Sequence, residues 1–223
     1  MAVIIKPSDI EQNSMSIISA ELEARGVTLP EETADVVRRV IHTTADFDYV
    51  DNLVFTENAV ARGVEALSAG VDIVTDTNMA KAGVSKPALS HLGGRVQCFM
   101  ADPIVVAMAK AEGTTRAVVA MRHAEQHCPD AVYAVGNAPT ALLQLSEQIK
   151  AGMRPSLVIA VPVGFVNVVE SKEELLAVCR EHDVPAIVAL GRKGGSNVAA
   201  AVCNALLYRA SGLTDPEERN WKA

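Results

Sequence analysis

Apolar and polar positions follow two rhythms along this chain. In the first stretch Ile10, Ile17, Ile18 and Leu22 recur at roughly helical spacing up to Gly26, and Pro7-Ser8-Asp9 ahead of them reads as a helix start with Ser8 as N-cap. A second helix is expected after Pro30, with Glu31 and Glu32 in its first turn and Ala34, Val37, Val40 and Ile41 on its apolar face, ending at His42. Helical patterns return over 57–69, closed by Gly70, over a short 77–83, from Asp102-Pro103 to about 111, and over 114–126. Between them lie apolar runs too short for helices, LVF (53–55), VDIVTD (71–76) and VQCFM (96–100), which read as strands.

The second rhythm dominates the C-terminal half. AVYAVGNAPTALLQL (131–145), SLVIAVPVGFVNVVESKEELL (156–176) and AIVALGRKGGSNVAAAVCNALL (186–207) each join an apolar β-rich run to a helical pattern through Gly, Asn, Pro and Ser. Strands alternating with helices predict an α/β fold: one domain, core about 8–210, with three layers around a mainly parallel sheet. Five or six strands can be counted, and a five-stranded sheet is expected. Parallel sheets bind ligands outside the carboxyl ends of their strands, and helix N-termini there attract anions. Three such junctions side by side suggest a platform for a large ligand carrying several negative groups. The polar tail, 214–223, is expected to fray.

Composition narrows the function classes. With 223 residues and 49% hydrophobic residues a full core can form, yet no apolar run approaches the ~20 residues of a membrane span. A net charge of −7 argues against nucleic acid as the main partner. The first residues lack a charged n-region and a cleavage pattern, so no signal peptide is expected. Four widely spaced cysteines without a CxxC pair predict reduced thiols and a cytoplasmic protein. Aromatic residues are only 4%, which leaves few rings to stack on a flavin.

His42 is the leading candidate for chemistry. It ends an amphipathic helix before the polar run TTADFDYVDN (43–52), where a helix C-terminus and Asp46, Asp48 and Asp51 would favour its protonated form, as suits a general acid. A plain capping histidine is the alternative. Arg39 lies three residues earlier on the same face and could hold a carboxylate beside a proton donor, or could be a solvated surface arginine. Arg116, near a helix start, opposes the helix dipole, a conflict that a ligand carboxylate would relieve. Ser14, between Asn13 and Met15, can be read as simply exposed. His123 and His127 mimic metal spacing but lack HExxH order and a second ligand cluster, so no metal site is expected. GRKGGSN does not match a phosphate-binding P-loop.

IHTTADFDY (41–49), DTNMA (76–80), CFMADP (98–103), GNAPTALL (136–143), VPVGFVNVVESKE (161–173) and GRKGGSNVAAA (191–201) resemble the precorrin-8X methylmutase family of cobalamin biosynthesis. The resemblance spans about residues 14–207, and HTTADFDY looks closest to the cobalt-precorrin-8 branch. It implies a flavodoxin-like fold, a homodimer, and a tetrapyrrole substrate whose methyl group moves from carbon 11 to carbon 12 to give cobyrinate. No cofactor or methyl donor is implied, and cobalt, if present, belongs to the substrate. The family's catalytic histidine falls on His42, its serine in the first helix on Ser14, and its arginines on Arg39 and Arg116. Thr43 and the loop residues Asn137, Gly164, Gly194 and Ser196 complete the expected substrate-binding set. Protonation of the conjugated ring by His42 would assist a 1,5-sigmatropic shift. Three other readings stay open at this level: a metal-free precorrin-8X substrate, a non-catalytic corrinoid carrier, and an FMN-binding protein.

Overall fold

The computed structural model describes residues 7–219, with side chains from 9 to 217. In chain order its elements are α1 (Pro7–Ala24), α2 (Glu31–Thr44), α3 (Tyr49–Asn52), β1 (Leu53–Phe55), α4 (Ala59–Ser68), β2 (Ile73–Thr75), α5 (Asn78–Gly83), α6 (Lys86–His91), β3 (Val96–Gln97), α7 (Pro103–Glu112), α8 (Arg116–His127), β4 (Val132–Val135), α9 (Pro139–Lys150), β5 (Leu157–Ala160), α10 (Val168–Glu181), β6 (Ala186–Ala189) and α11 (Ser196–Ser211), then a 3-10 turn at Pro216–Arg219. The expected capping side chain of Ser8 and the end of the tail lie outside the described residues.

The strands form one sheet in the order β1-β6-β5-β4-β2-β3. It has six strands rather than five, because the short run LVF adds itself antiparallel to β6 at one edge. The other neighbours are all parallel. Counted alone, the five parallel strands have the order 2-1-3-4-5 of the flavodoxin type, with the reversal between β2 and β4.

Alternation along each strand explains the three layers, since successive side chains point to opposite faces. Val132, Ala134, Leu157, Ile159, Ile187 and Ala189 enter a core with α1, α2, α4, α5, α6 and α11. Tyr133, Val135, Val158, Ala160, Ala186 and Val188 enter a second core with α7, α8, α9 and α10. Every residue of β4, β5 and β6 is buried, which is why those segments read as continuous apolar runs rather than as alternating ones.

One contact fixes how α2 lies against the sheet. The Arg209 guanidinium, near the end of α11, donates to the Glu32 carbonyl at the start of α2, 3.0 Å away, so the two packed helices run antiparallel. The last turn of α2 therefore lies with the first turn of α11, at the carboxyl ends of the parallel strands. At the same edge the Leu190 amide, just beyond β6, donates to the Asn52 carbonyl at the entrance of β1.

Some elements differ from the sequence pattern. The helix expected over 57–69 is shorter, because Asn58 takes a left-handed conformation before α4. Strand pairing in 96–100 stops after Gln97. The helix expected over 114–126 starts at Arg116, with Thr115 capping it by accepting the Val118 amide.

Candidate active site

Loops at the carboxyl ends of β2, β4, β5 and β6 line the edge together with the end of α2. Asp76, directly after β2, is buried, and its two oxygens accept the amides of Gly136, Asn137 and Ala138 at 2.7–2.8 Å. Burial pushes this carboxyl above its ordinary value, and the three amides offset that only in part. Because both oxygens accept N–H bonds, the geometry suits the carboxylate rather than the acid. The first turn before α9, expected to receive a ligand carboxylate, thus already holds one from within the chain. Thr77 caps α5 by accepting the Ala80 amide, and its hydroxyl lies 2.8 Å from the Ser196 hydroxyl, joining the β2 loop to the start of α11.

His42 is exposed in the last turn of α2, as is Thr43 beside it. The charge state differs from the sequence expectation. Burial of the ring and the Arg39 guanidinium lower its pKa below the ordinary 6.5, and Glu11 offsets this only in part. Asp46 and Asp48, expected to hold the proton on His42, instead accept the Lys193 ammonium at 2.6 Å each. Free His42 is therefore mainly the neutral imidazole at neutral pH.

Arg39 is not the open carboxylate receiver expected from its spacing. Its guanidinium pairs with Glu11 of α1 at 2.7 Å and lies over the Tyr208 ring at 5.4 Å. The Ser14 hydroxyl, also in α1, donates to the Ile10 carbonyl at 2.7 Å, the local back-bond open to any mid-helix serine.

The edge also gathers residues that are far apart in sequence. Thr115 and Thr140 hydroxyls meet at 3.0 Å and bring the start of α8 to the start of α9, so Arg116 stands exposed near Asn137. Arg116 makes no ion pair among the described residues. Gly164 takes φ +147 and donates its amide to the Arg192 carbonyl. At Gly194 an added Cβ would fall 2.1 Å from the Val161 carbonyl oxygen, so only glycine lets the β6 loop cross the end of β5. The loops after β4, β5 and β6 span about 10 Å, two strand spacings. An anionic ligand that uses all three must be at least that wide.

A groove of about 830 Å³ lies elsewhere, between α1, α2, α11 and the 3-10 turn, and reaches Arg39. Arg38, Arg39 and Arg209 line it, but so do Glu11, Glu23 and Asp35. Those carboxyl groups would repel a polyanion, so the strand edge is the better site for one. His123 and His127 stack with ring centroids 4.2 Å apart beside Phe99, and among the described residues no three His, Cys, Asp or Glu groups converge as metal ligands.

The sequence reading missed Asp76, Lys172 and Lys193. Lys172 carries a signal in retrospect: it falls within the buried stripe Val168, Lys172, Leu175, Leu176 and Cys179 of α10, an ionisable residue on a core face.

Fold and edge define a doubly wound α/β protein with a histidine at its ligand edge. Its family follows from comparison with known proteins: the chain belongs to the precorrin-8X methylmutase family, whose model matches residues 9–209. It is 45% identical to the cobalt-precorrin-8 methylmutase of Salmonella typhimurium, over 93% of this chain and 98% of that one. It is 40% identical to the protein of the same name from Priestia megaterium, over 94% and 92%. A crystal structure of precorrin-8X methylmutase from Thermus thermophilus superposes with a TM-score of 0.83 at 43% identity, covering 92% of this chain and 96% of that chain. The protein is thus a methylmutase, an isomerase of the cobalamin pathway, acting on a precorrin-type tetrapyrrole.

Proposed function

We propose that the protein converts cobalt-precorrin-8 to cobyrinate by moving a methyl group from carbon 11 to carbon 12. One observation carries the assignment of roles: His42 stands exposed at the carboxyl edge of the sheet, one turn from Arg39, and the turn after it is held by Lys193 of the β6 loop. The substrate's acetate and propionate groups meet Arg116, the side chain of Asn137, Gly164, Gly194 and Ser196, with Ser14 and Thr43 on the His42 side, while Arg39, held by Glu11, acts on the charge of His42. As they bind, their negative charge raises the pKa of His42, which enters the complex as imidazolium. It donates its proton to the conjugated ring and makes the ring electron-poor. The methyl group migrates with its bonding pair in a 1,5-sigmatropic shift, and the proton returns to His42.

The reaction consumes no methyl donor and no cofactor, and the cobalt is part of the substrate. The name of the Pseudomonas aeruginosa relative, a precorrin-8X methylmutase 41% identical over 88% of this chain and 93% of that one, supports the metal-free substrate as a second reading. A homodimer fits the exposed apolar residues Ile104 and Met108 of α7 and Phe165 and Val166 before α10. A cytoplasmic location fits the free thiols Cys98, Cys128, Cys179 and Cys203.

The test is anaerobic incubation with cobalt-precorrin-8 and, separately, metal-free precorrin-8X, followed by absorption. Conversion of the cobalt form to cobyrinate supports the first reading. Conversion of the metal-free form alone replaces it with the second. Binding without conversion of either would make the protein a carrier.

A further inference from the structure

Lys172 is the only lysine among the fully buried side chains of the described residues. Its ammonium reaches across to the β6–α11 loop and donates to the carbonyls of Gly191 and Lys193 at 2.8 and 2.9 Å. Both partners are neutral. A buried lysine held only by carbonyls is costly, and nothing in core packing calls for it, since methionine has a similar shape.

The loop it holds lies between two segments. On one side is β5–α10, which supplies Lys172, the Gly164 amide that donates to the Arg192 carbonyl, and the Val161 carbonyl that accepts the Gly195 amide. On the other is the turn after His42, where Lys193 pairs with Asp46 and Asp48. Three successive loop carbonyls, those of Gly191, Arg192 and Lys193, are thus tied to the β5–α10 side. In a trans peptide the N–H points opposite to the C=O, and the structure has no cis peptide bonds among the described residues. The amides of Arg192, Lys193 and Gly194 consequently point opposite to the carbonyl partners on β5–α10. Successive amides facing one way form an anion-binding concavity, and a cation behind the carbonyls polarises them further as donors.

We infer that Lys172 is a positioning residue for the methylmutase reaction: by holding the carbonyls of Gly191 and Lys193 it turns the amides of the β6–α11 loop toward a carboxylate of the tetrapyrrole. The inference rests on the substrate class given above. Lys172 does not touch the substrate and acts through the loop.

Its charge is open to titration. Burial alone lowers its pKa to about 8. The charged groups of the packed elements are Glu147 and Lys150 of α9, which pair with each other, and Arg192 and Lys193 of the loop. β6 has none, and α10 itself carries Glu170, Glu173, Glu174, Arg180 and Glu181. A neutral amine still has hydrogens for both carbonyls, so what is lost above pH 8 is the positive charge behind the loop.

The experiment compares wild type with Lys172→Met, measuring methyl transfer kinetics and cobyrinate binding from pH 7 to 10. The variant is expected to raise KM about tenfold while kcat changes less than about threefold, because binding rather than chemistry is affected. Wild-type affinity for cobyrinate should weaken above pH 8 more steeply than that of the variant, whose remaining slope is the proton uptake of His42 alone. A folded variant with the wild-type KM and the wild-type pH dependence overturns the inference. If the variant does not fold, the titration of His42→Ala, which lacks the site's other proton-linked group, decides: weakening of cobyrinate binding above pH 8 supports the role, and level affinity to pH 10 overturns it. A wild-type protein that neither binds nor converts any tetrapyrrole overturns the proposed substrate and this inference together. Wild-type turnover with an unaffected variant removes this inference alone.

Discussion

Arg39 and Glu11 meet 2.7 Å apart across the contact of α2 with α1, one helical turn before His42. Burial is the largest influence on the imidazole and lowers its pKa, and the two charges act in opposite directions, Arg39 lowering and Glu11 raising it. NMR titration of the ring should place His42 below 6.5 in the free protein. Arg39→Gln should raise that value and Glu11→Gln should lower it. The reverse order would mean that the pair does not control the histidine.

The same sign governs the rate. The reacting form proposed is the imidazolium, and kcat/KM reports the free enzyme. Since His42 is mainly neutral at pH 7, kcat/KM should rise as pH falls from 8 toward 6, by up to about tenfold per unit. The limb in kcat should lie at higher pH, because bound substrate carboxylates hold the proton on His42. Coincident limbs would show that substrate charge does not reach the ring.

Asp76 is a structural anchor with consequences for the site. Asp76→Asn places an NH2 group against amides that need an acceptor. It should cost about 1–3 kcal/mol in urea unfolding, since one of the two acceptor oxygens is replaced by a donor and at least one buried amide is left without a partner. Turnover should fall even where the variant is fully folded, because Gly136, Asn137 and Ala138 no longer share a two-oxygen acceptor and the loop must shift. An unchanged denaturation midpoint would contradict this placement.

Gly194→Ala sets a methyl group 2.1 Å from the backbone oxygen of Val161, where no side chain can move aside. The loop must shift, at a cost of about 1–3 kcal/mol. KM for the tetrapyrrole should rise more than the loss of stability alone explains. Near-normal kinetics would show that the loop does not contribute to binding.

The parallel sheet was legible because β4, β5 and β6 are buried on both faces, and small residues stop each run. The 3-residue β1 was also visible as LVF, but pairing direction is not written in a short apolar run, so the six-stranded edge came only from the fold. Helices α3 and α6, of four and six residues, are too short to impose a periodic pattern. At the site, His42 could be placed from helix-end logic, whereas its charge could not. Glu11 lies 31 positions from it in sequence, and the pairing of Asp46 and Asp48 with Lys193 joins residues 147 and 145 positions apart. Asp76 looked like an ordinary polar residue after a strand, and only the tertiary return of β4 brings its three amides to it.

The central claim is that His42 supplies the proton for methyl migration, and His42→Ala tests it most directly. The measurement is anaerobic turnover of cobalt-precorrin-8 alongside equilibrium binding of the same compound, read from its absorption. The account predicts that His42→Ala binds the tetrapyrrole within a few-fold of wild type but loses turnover by about 10²-fold or more, the usual scale of a positioned acid. Turnover at the wild-type rate would contradict it.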